Sequence, residues 1–379
     1  MADTSPKPKE SSPGPATTTA SPPPASPPPA SPPPAAASSP RPAAPTAPTG
    51  PGVIEADVHA EADDADNDVD SSLSLGSNQS ETTSLAPSIY KFREENGRTY
   101  HAYKAGTYFM PNDARENDRL DLQHNLFILM QDNQLYSCPA GKDKPLKRVL
   151  DAGCGTGIWS MDFADEHPET AVVGVDLSPI QPSFVPPNVE FFVDDLEAEW
   201  SFAHPFDFIY VRFLTGSIRD WPRLFEQAYT HLLPGGHIEL CDVAFPLVSD
   251  DGTLAEDSAL KRWSSLVLEA TAKFGSPLNS ALKYKEQLAD AGFRDVVQIE
   301  YKWPSNPWPK DRKFKELGAW SYENNVQGLQ AASLFPLTNA LGWTAAEVET
   351  LLVDVRKELK DRKIHAYWPI YVIYARKPE

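Results

Sequence analysis

Residues 149–157 read VLDAGCGTG: an apolar run ends in Asp151 and opens at once into glycines at 153, 155 and 157. The run predicts a buried parallel strand, and glycines directly after it let the backbone turn sharply and come close to a ligand. A helix opening at Thr156 then presents free N–H groups to an anion. The spacing is GxGxG, whereas a dinucleotide site asks for GxGxxG and position 158 is isoleucine. A phosphate loop is excluded as well, because neither Lys-Ser nor Lys-Thr follows the glycines.

Outward from this turn, short apolar runs alternate with helical patterns, the order expected of a parallel sheet with crossover helices. Strands are predicted at 148–152, 171–175, 189–193, 206–211 and 237–243, then near 295–302 and at 367–375. Helices are predicted from Thr156, over 219–232 with Pro234 as its stop, near 256–274 and 280–291, and within 344–361. The stretch 303–362 between the last two strands is longer than a connection requires and reads as a lid insertion. Residues 89–146 carry aromatics and a helix-like RLDLQHNLFILMQ, and read as an N-terminal cap over the same end of the sheet.

The acidic residues after the strands narrow the ligand. Asp176 closes the second strand, where a carboxylate meets a ribose, with Leu177 beside it. Asp195, in FFVDDLE after the third strand, is placed to accept the exocyclic amine of an adenine, with Asp194 as the neighbouring alternative. Arg212 and Thr215 follow the fourth strand at the ligand end, in reach of cofactor or acceptor. A ligand with an adenine, a ribose and a carboxylate but no pyrophosphate fits these parts, and S-adenosylmethionine is that ligand. The cofactor-binding candidates are therefore Asp151, Gly153, Cys154, Gly155, Thr156, Gly157, Asp176, Leu177, Asp194, Asp195 and Arg212.

The ordered set VLDAGCGTG, VVGVD, FFVDD, FDFIYVRF and LLPGGHIEL is similar to that of class I methyltransferases. Beyond it, YFMPNDARENDRLDLQHNLF, VDLSPIQPSFVPPNVEF, DDLEAEW, RFLTGSIRDWPRLFEQAY, WPKDRKFKELGAW and KIHAYWPIYVIYARKP resemble the LaeA-like family of fungal methyltransferases. The resemblance implies an α/β, Rossmann-like fold with seven strands, the last antiparallel, and adenosylmethionine as methyl donor. It also implies a small secondary metabolite or a regulatory protein as acceptor. The family pattern names no catalytic base. Of the histidines, His101, His124, His237 and His365 are candidates for one, each with a structural hydrogen bond as the plainer reading. A non-catalytic adenosylmethionine-binding scaffold is the alternative function.

The chain's first quarter differs from the rest. Residues 1–52 are dominated by Pro, Ala, Ser and Thr, with SPPPA three times in succession, and the following stretch is acidic and then Ser/Thr-rich. With so little apolar surface to bury, residues 1–88 read as a disordered tail, a spacer or a ligand for SH3- or WW-type modules of regulatory partners. The methyltransferase domain is then 89–379, which holds all nine tryptophans.

Net charge is −19, of which the tail holds −8 and the folded part −11, so direct binding to a phosphate backbone is disfavoured. Neither a secretory leader nor a membrane-length apolar run is legible, and Cys138, Cys154 and Cys241 have no metal-ligand spacing. An intracellular protein of the cytoplasm or nucleus, without metal or membrane partner, is expected.

Overall fold

A computed structural model describes residues 52–57, 90–95, 97–104 and 108–379. The SPPPA repeats, the acidic run beyond Asp57 and the Ser/Thr-rich stretch lie outside the described residues. In chain order the elements are β1 (Arg93–Glu95), β2 (Arg98–Tyr100), α1 (Ala114–Met130), β3 (Arg148–Ala152), α2 (Ile158–Glu166), β4 (Ala171–Asp176), β5 (Val189–Val193) and β6 (Phe206–Arg212). There follow α3 (Trp221–His231), β7 (Leu232–Val243), β8 (Val248–Ser249), α4 (Ala259–Lys273), α5 (Tyr284–Asp290), β9 (Arg294–Pro304), α6 (Arg312–Gly328), α7 (Ala331–Leu341), α8 (Ala345–Lys360) and β10 (Ala366–Arg376).

The main sheet runs β5-β4-β3-β6-β7-β10, with β9 on β10. Neighbours from β5 to β7 pair parallel, and β10 pairs antiparallel with both β7 and β9. This is the doubly wound, seven-stranded arrangement with an antiparallel last strand that the sequence implied. The two-residue β8 adds a short eighth strand beside Ala366 and Tyr367. Val149, Leu150, Phe208, Ile209, Ile238 and Leu240 are fully buried, which is why these runs carry apolar side chains on both faces. Among the described residues no helix is long and apolar enough to cross a membrane.

Helix ends follow side-chain caps. Asp113 accepts from the Glu116 N–H at 3.1 Å and starts α1, and Thr344 with Glu347 forms a reciprocal capping box on α8. Glu358 of α8 accepts from the Ala259 and Leu260 N–H groups, so the late insertion is tied to the start of α4. Trp159 stacks on Tyr210 with centroids 4.0 Å apart, which clamps α2 against β6 directly below the glycine turn.

Three expectations are corrected. The first helix opens at Ile158 rather than Thr156, because Gly157, at φ 80°, is its left-handed entry residue. The third helix spans Trp221–His231, and the chain is already extended at Leu232; Pro234, Gly235 and Gly236 form an irregularity inside β7, where pairing jumps from Leu232 to His237. Residues 52–57, assigned to the tail, lie on the folded body. The Asp57 N–H donates to the Trp308 carbonyl and the Lys310 N–H to the Glu55 carbonyl, both at 2.8 Å, while Ile54 is buried and Asp57 pairs with Lys315. Backbone pairing with residues 308–310, one apolar side chain and complementary charges dock a segment that composition alone assigned to solvent.

Candidate functional site

The carboxyl ends of β3, β4, β5 and β6 open onto one cleft, closed on the far side by α1 and residues 108–112. Crossovers that leave a doubly wound sheet on both faces create such a crevice outside the strand ends. Nine of the eleven candidates stand on its wall: Gly153, Cys154, Gly155, Thr156, Asp176, Leu177, Asp194, Asp195 and Arg212. Asp151 and Gly157 do not. Asp151 is buried beneath the turn, where it accepts from Ser160 Oγ at 2.6 Å and burial pushes its carboxyl up to about 6.

The glycines of the turn answer to two different demands. All three have positive φ, 79°, 55° and 80° at Gly153, Gly155 and Gly157. A β-carbon at Gly153 would stand 2.4 Å from Leu214 Cδ2, and one at Gly157 would stand 2.3 Å from Phe191 Cζ, so these two answer to packing. At Gly155 it would meet only Leu120 Cδ1 at 3.8 Å, and the space it would occupy belongs to the cleft. Asp176 ties the turn to β4: its carboxylate accepts from the Gly155 and Ser178 N–H groups, both at 2.9 Å. Burial raises its pKa and those N–H donors pull it back. Burial pushes the Cys154 thiol well above its usual range, consistent with a small packed side chain and no redox role.

Arg212 reaches across the cleft floor to α1. Its Nη1 donates to His124 Nδ1 at 3.0 Å, and His124 Nε2 lies 2.9 Å from Asp162 Oδ2. A guanidinium can only donate, so Nδ1 accepts and the ring carries its proton on Nε2, donated to Asp162. Burial lowers the pKa of His124, which fits the neutral ring. With its one lone pair occupied, His124 is not a base. His101 is buried with Nε2 3.2 Å from the Lys104 carbonyl, His237 pairs at the far end of the sheet beside Arg376, and His365 sits against Asp251 and Trp308. None of the four lines the cleft.

A second cavity adjoins the first and shares Tyr108, Gln123 and Phe213 with it. Its wall is mostly aromatic and apolar, with Trp263 from α4, Trp303 from β9 and Trp368 from β10 beside Phe109 and Phe245. Arg119 on its rim is neutralised, donating to Glu116 at 2.6 Å and to Asn324 at 2.6 Å. Phe213, between the two cavities, has φ 56°, a conformation costly for a bulky residue and held by its N–H bond to the Cys241 carbonyl. Sequence reasoning missed Gln123 and Asn112 on the cleft and the gathering of these tryptophans. The helical period marked α1 but not which of its polar positions turns inward.

Comparison with known proteins bears on this geometry. A family model described as a methyltransferase domain matches residues 122–299, from α1 to β9. Methyltransferase pytC of Aspergillus terreus is 41% identical over 334 residues, covering 88% of this chain and 98% of that protein. The chain belongs to the LaeA-like fungal methyltransferases. Within that family, the secondary metabolism regulator LAE1 of Cochliobolus heterostrophus is 39% identical over 290 residues, covering 75% of this chain and 94% of its own. The protein-methionine methyltransferase laeA of Emericella nidulans is 36% identical over 292 residues, covering 76% and 77%.

As a LaeA-like methyltransferase, the chain uses S-adenosylmethionine as methyl donor. The cleft suits that group in its own terms. It offers an open backbone cradle at Gly155, a carboxylate at Asp176, and further acids at Asp194 and Asp195. It also holds a cation, Arg212, with no carboxylate partner within salt-bridge distance among the described residues.

Proposed function

We propose that this methyltransferase acts on a small, largely apolar secondary metabolite seated in the second cavity. The observation that carries the reading is the shared wall, for a group bound at Gln123 and Phe213 lies against both cavities. The metabolic setting is supported by the relatives, LAE1 among them, that are secondary metabolism regulators by name. S-adenosylmethionine supplies an electrophilic methyl on a sulfonium when bound. The chain's residues would bind and align it: Asp176 would accept from the ribose hydroxyls, and Asp195, with Asp194 as its neighbour, would accept from the adenine amine. Arg212 would face the donor's carboxylate, while the N–H groups of Gly153, Cys154, Gly155 and Gly157 hold the turn itself. Cys154, Thr156 and Leu177 shape the same wall, and Asp151 and Gly157 hold the turn from below.

The cap and the 303–362 insertion enclose the acceptor cavity, excluding water from a displacement that depends on alignment more than on proton transfer. Alignment of this kind contributes up to about 7–11 kcal/mol in favourable cases. The Pro-rich tail is assigned a spacer role, with SH3- or WW-type modules as the partners its composition suits.

Incubation with methyl-labelled adenosylmethionine and a fungal extract tests the reading. Label is expected in the organic phase. Label on protein instead would assign a protein acceptor, the activity named for the laeA relative of Emericella nidulans. Transfer to neither phase would assign a binding scaffold.

A further inference from the structure

We infer that His124 is a positioning residue of the donor site: it holds the Arg212 guanidinium in place while leaving its charge for the carboxylate of S-adenosylmethionine. This rests on the donor-site reading above. Arg212 ends β6 on the cleft wall, whereas His124, on α1, does not line the cleft and is 2% exposed. Any part it plays in ligand binding therefore runs through the side chains it bonds, Arg212 and Asp162. The first of these bonds runs from Arg212 Nη1 to His124 Nδ1 at 3.0 Å. Phe127, on the next turn of α1, lays its ring against the same guanidinium, whose Cζ is 5.0 Å from the ring centroid. Two residues of the cap helix thus fix the direction of a side chain rooted in the sheet.

What matters is that the acceptor is neutral. A carboxylate in the place of His124 would hold Arg212 firmly but cancel its charge. An imidazole whose Nε2 proton goes to Asp162, 2.9 Å away, offers Nδ1 as an acceptor and carries no charge of its own. The Asp162 side chain on α2 is 49% exposed, so water weakens the field of the one carboxylate in this chain of bonds. Asp121, on the preceding turn of α1, is engaged elsewhere, accepting from Thr156 Oγ1 at 2.7 Å. Arg212 Nε and Nη2 have no partner among the described residues, and neither is shut off from the surface. They belong to the one cation among the described residues of the cleft wall, whose other charged groups are Asp176, Asp194, Asp195 and Glu197. An anionic end group has a single counter-charge to meet there. A side chain already held has also given up beforehand the rotamer freedom that gripping an anion would otherwise cost.

Calorimetry on the full chain with S-adenosylhomocysteine and with methylthioadenosine, which lacks the amino-acid end, tests this. Wild-type protein should hold the first more tightly. His124→Leu removes the acceptor but keeps the bulk, and should weaken S-adenosylhomocysteine about tenfold while methylthioadenosine stays within about twofold of wild type. His124→Asn returns an acceptor oxygen close to the position of Nδ1 and should restore most of the loss. In an Arg212→Leu background, His124→Leu should cost nothing further. A merely structural role would weaken both ligands together and would not depend on Arg212. Unchanged S-adenosylhomocysteine affinity in His124→Leu, parallel losses of both ligands, His124→Asn as weak as His124→Leu, or losses additive with Arg212→Leu overturns the assignment. Each variant is first checked for a native melting transition. Should both His124 variants unfold, Asp162→Ala on the half-exposed side of α2 carries the same comparison: a loss confined to S-adenosylhomocysteine supports the assignment, and equal losses or none overturn it. Wild-type protein that binds the two ligands equally overturns it while leaving the donor site standing. Wild-type protein that binds neither removes the donor-site reading itself.

Discussion

Gly155→Ala separates a glycine kept for the ligand from glycines kept for the fold. At φ 55° an alanine is forced into the left-handed region, which costs about 1–2 kcal/mol. Its β-carbon adds no clash, since Leu120 Cδ1 at 3.8 Å is an ordinary contact. The fold should therefore lose only that amount, a melting shift of about 2–6 °C for a domain of this size. The methyl group, however, would stand in the cleft where the proposed donor site lies. Affinity for S-adenosylhomocysteine by calorimetry should fall on the order of 100-fold, about 2.7 kcal/mol. Gly153→Ala and Gly157→Ala are the controls. Their β-carbons would lie 2.4 and 2.3 Å from Leu214 and Phe191, so both should lose far more stability than Gly155→Ala. Wild-type affinity in Gly155→Ala, or a stability loss equal to that of the controls, would refute the assignment of this glycine to ligand approach.

Asp176→Asn keeps the side chain's shape but loses the charged acceptor, and should weaken S-adenosylhomocysteine by about 1.5–3 kcal/mol in calorimetry. Burial raises the carboxyls of Asp151, Glu239 and Asp242 to about 6, 7 and 7. Native groups then hold protons the unfolded chain has shed, so their contribution is present below pH about 4 and lost as pH rises toward about 7. Asp242→Asn should flatten that fall, recovering on the order of 3 kcal/mol above pH 7 in denaturant melts at stepped pH, since an asparagine can still accept from the Thr215 N–H and donate to Tyr284. Ile54→Ala should cost about 1–2 kcal/mol in the same melts if residues 52–57 are docked in solution, and nothing measurable if they are not.

The sheet was legible because its strands are buried on both faces and read as apolar runs whose ends are marked by Gly153 and Asp176. The acids at 176, 194 and 195 could be placed because a parallel strand's carboxyl end is where a ligand must sit. What pattern could not supply was orientation and long-range assembly. Gln123 and His124 are neighbours on one helix, yet one faces both cavities and the other is locked by Arg212 and Asp162. Trp263, Trp303 and Trp368 meet only because α4, β9 and β10 converge, and nothing local to any of them announces it. Asp151 and Gly157 belong to the motif but act from behind the wall, a distinction that depends on depth in the fold.

The most direct measurement of the central claim is the crystal structure of the full chain with S-adenosylhomocysteine. Density for the adenosine should lie along Gly153–Gly157, with the ribose hydroxyls on Asp176 and the thioether sulfur facing Gln123 and Phe213. Density elsewhere on the molecule, or a ribose turned away from Asp176, would contradict it.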